Sequence, residues 1–317
     1  MFILENNYGQ LSRDDIINEL NSNKGFKIFI GDGLDDTVQQ HIKYSSYDIT
    51  PSIVALSSKT GMLEKVYKNK SPLINSYYIY VKPKDTVLIV SNECVCLPNY
   101  ISGYVTSRVS NVVHGFGHIS TTIDPTWSGG LLIALSNPSN RAIKIEVGIS
   151  SVENESGELE DIKTSQTLAT LTFHYLHSVY TGDVIEYKSM RIDLLKEIEY
   201  RKRKGIRALL RKCFYRKRCK FTDYFFEYIK ILDNTTEPEK SWNKFIEEFG
   251  FVYNKQAENK SAYDFVIKEN VFNKIKHFYI NHKGSIWMFI ILLIISILFL
   301  CGIINKDLFE LIMNFIK

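Results

Sequence analysis

The first 180 residues alternate apolar and polar positions in short runs broken by turn residues. Examples are "YYIYVKP", "DTVLIVS", "GYVTSRV", "GLLIALSN", "AIKIEVGIS" and "LATLTFHYL". Period-two alternation over runs this short predicts half-buried strands. Their close spacing predicts a β-barrel or sandwich, not alternating βαβ units. One helix is expected early, over "SRDDIINEL": Ser12 suits the N-cap, and Asp14 and Asp15 suit the positive end of the first turn. The segment "VENESGELEDIK" reads as an exposed acidic loop between two strands.

From 181 to 283 the period changes to that of a helix. Met190, Leu194, Leu195 and Ile198 form one apolar stripe, and Ile206, Leu209, Leu210, Cys213 and Phe214 a second, with Gly205 as a break between them. Further helices are expected at "EKSWNKFIEEF", opened by Pro238, and at "SAYDFVIKENVFNKIKHFYI". Residues 286–304 are nineteen in a row without a charge. At ~1.5 Å per residue they span about 28 Å, the thickness of a bilayer's hydrocarbon core. Trp287 stands at one edge, where an indole belongs. Lys268, Lys274, Lys276 and Lys283 precede the span and only Lys306 and Lys317 follow it, which predicts a cytoplasmic N-terminal portion and a single-pass inner-membrane protein. The tail "NKDLFELIMNFIK" is amphipathic and suits the far interface or a pore lining. The pattern thus gives an α+β chain: a β domain over 1–180, a basic helical region over 181–283, and a transmembrane helix with its tail over 284–317.

The net charge of +4 conceals an asymmetry. Eleven cations and no acid crowd residues 201–220, so removing those eleven leaves the rest of the chain at −7. They are Arg201, Lys202, Arg203, Lys204, Arg207, Arg211, Lys212, Arg216, Lys217, Arg218 and Lys220. Three readings are open. The run lies on anionic lipid, or it grips an oligonucleotide with Phe214, Tyr215, Phe221 and Tyr224 as stacking surfaces, or it is a solvated face. The five cysteines include no C-x-x-C pair, and reduced thiols are expected, without structural zinc. Cys94 and Cys96 lie two apart on a predicted strand and face the same side. The N-terminus has no basic segment followed by an apolar run, so no signal peptide is expected.

The candidate chemistry lies in the β region. "LSRDDIINEL", "IKYSSYDITPS", "VKPKDTVLIVSNECVCLP", "TSRVS" and "IDPTWSGGLLIALSN" follow one another between residues 11 and 137. In this order they resemble the dCTP deaminase branch of the dUTPase-like superfamily, with "TSRVS" similar to its "GRSSxxR" phosphate segment and the last to "DPGWxGxIxLExxN". The resemblance implies that Arg108 and Ser110 hold triphosphate oxygens, a task suited to a guanidinium and a hydroxyl. It implies that Asp124 contacts the sugar or orients water, that Trp127 packs under the deoxyribose, and that Asp48 lies near the phosphates, with Mg²⁺ if the chain is a hydrolase. It also implies homotrimers or related rings with pockets between subunits.

The departures are specific. The deaminase's proton-carrying glutamate falls at Ala134, and losing such a group costs ~10²–10⁴-fold. Val109 replaces the first serine of the pair, Thr126 replaces the glycine of "DPG", and the second arginine has no counterpart among Asn111, Val112, Val113 and His114. No glycine-rich tail of the diphosphatase kind follows. His114 and His118 read as core or turn histidines, and Gly115 and Gly117 as turn residues. No resident metal or cofactor is expected. The resulting expectation is a non-catalytic sensor of a nucleotide or short oligonucleotide, whose occupancy controls clustered membrane helices as a channel or disruptor, by analogy with antiviral effectors. Ser296 and Gly302 are expected on helix-packing surfaces. The alternative is a membrane-tethered dCTP deaminase or dUTP diphosphatase using Asp124 and Asp48.

Overall fold

A computed structural model describes residues 8–32, 34–68, 74–117, 119–153, 159–164, 166–182, 189–202, 216–232, 238–250 and 267–268. Residues Met1–Ser139 and Ile143–Glu269 form one compact unit; the second, Asn140–Ala142 with Asn270–Lys317, falls outside the described residues except for its first piece. The span expected at 286–304 therefore lies outside them, as do Gly205, the stripe from Ile206 to Phe214, and His118. Among the described residues no helix is long and apolar enough to cross a membrane.

The chain opens with β1 (Gly9–Gln10) and α1 (Arg13–Asn21). Ser12 caps α1 as expected, and Asp15 closes a reciprocal box: Asp15 N donates to Ser12 Oγ at 3.2 Å and Ser12 N to Asp15 Oδ2 at 2.9 Å. Then come β2 (Lys27–Phe29), α2 (Asp35–His41), β3 (Tyr47–Ile49), β4 (Pro51–Ser57), β5 (Tyr67–Lys68), β6 (Ile74–Val81), β7 (Asp85–Cys96) and β8 (Ile101–Ser107). A short α3 (Val109–Val113) leads to β9 (Ser120–Ile123), β10 (Ser128–Asn137), β11 (Ile143–Glu153), β12 (Leu159–Thr164) and β13 (Ala169–Tyr175). The described helices that follow are α4 (Ile192–Lys202), α5 (Arg216–Leu232) and α6 (Pro238–Phe249), with β14 (Ile267–Lys268) last.

The strands make three sheets. One runs β1-β13-β8-β9 with β3 also on β13; the second runs β10-β7-β2 with β4 also on β7; the third runs β12-β11-β6-β5-β14. Each predicted run became a strand. β8 buries Ile101, Gly103 and Val105 and turns Tyr104 outward, while β4 is buried at all seven positions, including Ser52 and Ser57, and shows no such alternation. Two expectations need correction. The acidic segment is not simply a loop, since Glu153 ends β11 and Leu159–Thr164 pairs back on it as β12. Within the helix expected over 261–280, Ile267 and Lys268 instead pair in parallel with Tyr67 and Lys68.

The boundary expected at residue 180 does not separate two cores. Trp242, Phe245 and Phe249 of α6 and Phe221, Phe225 and Phe226 of α5 are buried in the same cluster as the sheets. Trp242 lies against Gly130 of β10, where a Cβ would stand only 2.1 Å from the indole, and its Nε1 donates to Asn92 O at 2.8 Å. Glycine is required there by the approach of the ring, not by backbone freedom. Gly250 O accepts from Ile149 N at 2.9 Å, tying the end of α6 to β11.

Candidate functional site

The site residues come from the outer face of the first sheet. In β8 the inward Val105 alternates with outward Thr106, and two residues further Arg108 leaves the strand to stand as N-cap of α3. Asn111, buried within α3, holds the helix in place by donating from Nδ2 to Leu168 O at 2.7 Å and Thr167 O at 3.3 Å. His114 caps α3, and Gly115 follows at φ 97, ending the helix in the left-handed region where glycine is free of strain. His114 is exposed, not a core residue, and both it and Gly115 serve a turn. Ser110 is exposed in the first turn of α3.

Asp48 of β3 is paired across the sheet with Thr170 of β13, which is in turn paired with Thr106 of β8. Its carboxylate is buried and accepts from Arg108 Nη1 at 3.3 Å, with Thr170 Oγ1 at 3.5 Å and Lys43 Nζ at 3.8 Å. Two cations thus already neutralise Asp48. Arg108 itself keeps 40% of its side chain exposed and spends one nitrogen on this pair.

Asp124 lies at the other end. The β8–β9 ladder stops at the Gly103–Ile123 pair, so Asp124 sits just past it, six residues of strand from Arg108, or about 20 Å. Asp48 is three strands across and four residues along from Asp124, again roughly 20 Å. One chain therefore brings Arg108 and Asp48 together and leaves Asp124 apart. Asp48 and Asp124 of one chain cannot share a Mg²⁺ ion, and no group of three possible ligands occurs among the described residues.

Asp124 opens a tight turn in which Trp127 N donates to Asp124 O at 3.2 Å. Pro125 occupies the second position and Thr126, at φ 66, the third. That is the place of glycine in a type II turn, and here a β-branched residue fills it. Asp124 is exposed. Trp127 is half-buried against the core, and its Nε1 donates to Gly129 O at 3.1 Å. From this turn β10 runs back along β7, with Ala134 paired to Leu88. Ala134 faces solvent. Its same-face neighbours by register, Leu132, Ser136, Leu88 and Thr86, have no ionisable group.

Of the basic run, only Arg218 has a described side chain, and it is not available to an anion. It is buried, pairs with Glu64 at 2.9 Å through Nη2, and donates to Leu63 O, to Met62 O at 3.3 Å and to Thr60 Oγ1 at 3.5 Å. A guanidinium with so many acceptors is a joint between α5 and the segment after β4. Phe221 is buried in the core and Tyr224 donates to Glu248 Oε2 at 2.8 Å, so neither is a stacking platform. Arg201, Lys202, Arg216, Lys217 and Lys220 lie on described helix backbone, while Arg203, Lys204, Arg207, Arg211 and Lys212 fall outside the described residues.

The sequence reading missed two groups. Asn111, which the motif marks only as a missing arginine, anchors α3 through its two bonds to Leu168 O and Thr167 O. Glu93 of β7 is fully buried, accepting from Thr50 N at 3.1 and 3.0 Å and from Thr50 Oγ1 at 2.6 Å; burial, opposed by these bonds, pushes its carboxyl up to about 7. A lone acid inside the run "VSNECVC" was the available signal.

These elements make a β-rich domain. Residues 10–151 match the family described as dCTP deaminase-like. It is 29% identical over 93 residues to a dCTP deaminase of Buchnera aphidicola, covering 28% of this chain and 47% of the relative. With a dCTP deaminase of Thermococcus kodakarensis it shares 30% over 70 residues, 22% of this chain and 45% of the other. The chain thus spans about half the length of the curated relatives it matches. Among solved structures, the 2′-deoxycytidine 5′-triphosphate deaminase of Agrobacterium tumefaciens is similar with TM-score 0.33 and 12% identity, over 54% of this chain and 49% of that one.

Proposed function

We propose that this chain binds a pyrimidine deoxynucleoside triphosphate in a site completed by a second copy of itself, and that it responds to the ligand without deaminating it. Binding is supported by Arg108, Ser110 and Asp124, all of which keep solvent exposure at positions suited to phosphate and sugar. The single observation that carries the second half is Ala134: a solvent-facing methyl stands where deamination needs a proton carrier within hydrogen-bond reach. A shared site is supported by the roughly 20 Å between Arg108 and Asp124. It is also supported by α3, which exposes Val109, Val112 and Val113 beside Arg108, an apolar patch suited to a subunit contact.

In this reading residues 286–304 anchor the assembly in the inner membrane with the nucleotide domain in the cytoplasm, and the remaining cations of 201–220 face anionic lipid or an oligonucleotide. Ligand control of clustered membrane helices requires that the nucleotide bind one state more tightly than the other. A role in antiviral defence rests on analogy of architecture alone.

A second reading, a dCTP deaminase or dUTP diphosphatase, is favoured by the names of the curated relatives. Titration of the full-length chain with dCTP and dUTP, with ammonia and pyrophosphate assayed in parallel, separates the two. We expect binding that weakens about tenfold to a hundredfold in Arg108→Ala, as befits a lost charged hydrogen bond, and no ammonia. Ammonia from dCTP, or Mg²⁺-dependent pyrophosphate from dUTP, that disappears in Asp124→Asn would establish the enzyme instead. Membrane leak on expression of the chain with and without 286–317 tests the anchor.

A further inference from the structure

The end of β7 carries a pair of thiols under α6 that the nucleotide reading does not use. Cys96 is the middle member of a cross-strand row, paired with Lys27 of β2 on one side and Ser128 of β10 on the other. Cys94 is the middle of the next row on the same face, between Phe29 and Gly130. Helix α6 lies over both rows: Glu239 forms an ion pair with Lys27, and three residues on, Trp242 fills the seat above Gly130.

The two thiols are not equivalent. Cys94 is fully buried, whereas Cys96 is half-buried, with its Sγ 3.3 Å from Ser128 Oγ. A hydrogen bond from the Cys94 thiol, together with the Ser128 hydroxyl and the Lys27 ammonium and against the opposing effects of burial and of Glu239, brings Cys96 down to about 7. Burial pushes Cys94 well up. A thiolate supported by two donors and a cation, with partial access, is the nucleophile of the pair. A cavity of about 370 Å³ reaches the β2 end of the rows, lined by Lys27, Phe29, Glu239 and Asn243 and by neither cysteine.

We propose that Cys96 is an oxidation site, taking a hydroperoxide as its oxidant, and that its modification loosens α6 from the β domain. The Cys96 thiolate attacks one peroxide oxygen; the S–O bond forms, the O–O bond breaks, and hydroxide or alkoxide leaves, giving a sulfenic acid. The added oxygen enters a row bounded by Ser128, Lys27 and Glu239, next to the seat where Trp242 has no spare room. Cys94 and Cys96, two residues apart on a strand, have Cα atoms about 6.7 Å apart, at the outer edge of disulfide reach. The sulfenic acid is therefore the expected product, not a disulfide.

The test treats the full-length chain with hydrogen peroxide at pH 7 in the presence of dimedone, maps adducts on all five cysteines by mass spectrometry, and follows hydrogen exchange of Pro238–Phe249. The expected result is an adduct at Cys96 forming at least about tenfold faster than at Cys94, slowed in Ser128→Ala, with faster exchange in α6. Cys96→Ser should keep the unoxidised exchange rate and lose the peroxide effect. Adducts that favour Cys94, Cys213, Cys219 or Cys301 overturn the assignment of Cys96, and a disulfide-linked Cys94–Cys96 peptide overturns the sulfenic acid as its product. An adduct at Cys96 with unchanged exchange in α6 overturns the link to the helix.

Discussion

Two arginines, both legible in the sequence as anion binders, occupy opposite situations. Arg108 stands at the end of β8 with 40% of its side chain exposed and a single 3.3 Å bond to Asp48, so most of its fork is open to a ligand. Arg218 has 6% exposed, and its nitrogens are committed to Glu64, Leu63, Met62 and Thr60. Composition treats the two alike. What separates them is how many fixed acceptors the fold has already supplied, and that number decides whether a cation recognises a partner or holds the protein together.

The comparison breaks most sharply if the two are removed in turn. Arg218→Met leaves Glu64 buried with, among the described residues, Lys82, 2.7 Å away and itself 42% exposed, to compensate it. Stripping a partner from a buried charge costs roughly 3–5 kcal/mol, and we expect a loss of that size in urea unfolding of the full chain. Arg108→Ala also strips a partner from a buried acid, Asp48, but Arg108 is itself 40% exposed and Lys43 remains 3.8 Å away, so we expect a smaller loss of about 1–3 kcal/mol, together with weaker nucleotide binding. Equal losses of stability from the two variants would show that Arg108 is structural as well.

Glu93 sharpens the contrast from the carboxylate side, because it is a buried acid with no cation. Its folded pKa of about 7 lies above the ordinary 4.5. The native state therefore holds a proton that the unfolded chain gives up, and stability is full below about pH 4.5 and falls as pH rises through 7. The loss amounts to on the order of 3 kcal/mol by pH 8. Glu93→Gln keeps an oxygen to accept from Thr50 and should flatten this part of the pH–stability curve. A variant whose midpoint still falls between pH 5 and 8 as in the parent would assign the dependence elsewhere.

How much of this was readable beforehand follows the range of the forces involved. Local rules were sufficient for the Ser12 cap, for the alternating runs that became β6, β7, β8, β10, β11 and β13, and for α6 beginning at Pro238. As candidates, Arg108, Ser110, Asp124 and Trp127 were legible because they lie in short ordered motifs. Their separation was not, because it depends on which strands pair and in what register. Gly130 could be read as one more glycine of "WSGG", yet its purpose is set by Trp242, more than a hundred residues away. Gly130→Ala tests that long-range fit. Its methyl would overlap the indole, a clash that costs about 1–3 kcal/mol when a packed site is overfilled, and hydrogen exchange in Pro238–Phe249 should quicken if the cost falls on the docking of α6.

The smallest expected effect concerns the turn that carries Asp124. Thr126 sits at φ 66, a region where a β-branched side chain is strained by about 1–3 kcal/mol, and Pro125 before it leaves the turn little freedom to relax. Thr126→Gly removes that strain, while the added freedom of glycine in the unfolded chain returns roughly 0.5–1 kcal/mol of it. The net expectation is a gain of about 1 kcal/mol in urea unfolding. Because the turn also sets where Asp124 points, nucleotide titration of the same variant distinguishes two roles for the strain. Unchanged or tighter binding with higher stability marks Thr126 as a tolerated departure from the family pattern. Weaker binding despite higher stability means that the strained turn itself holds Asp124 in the position the nucleotide needs.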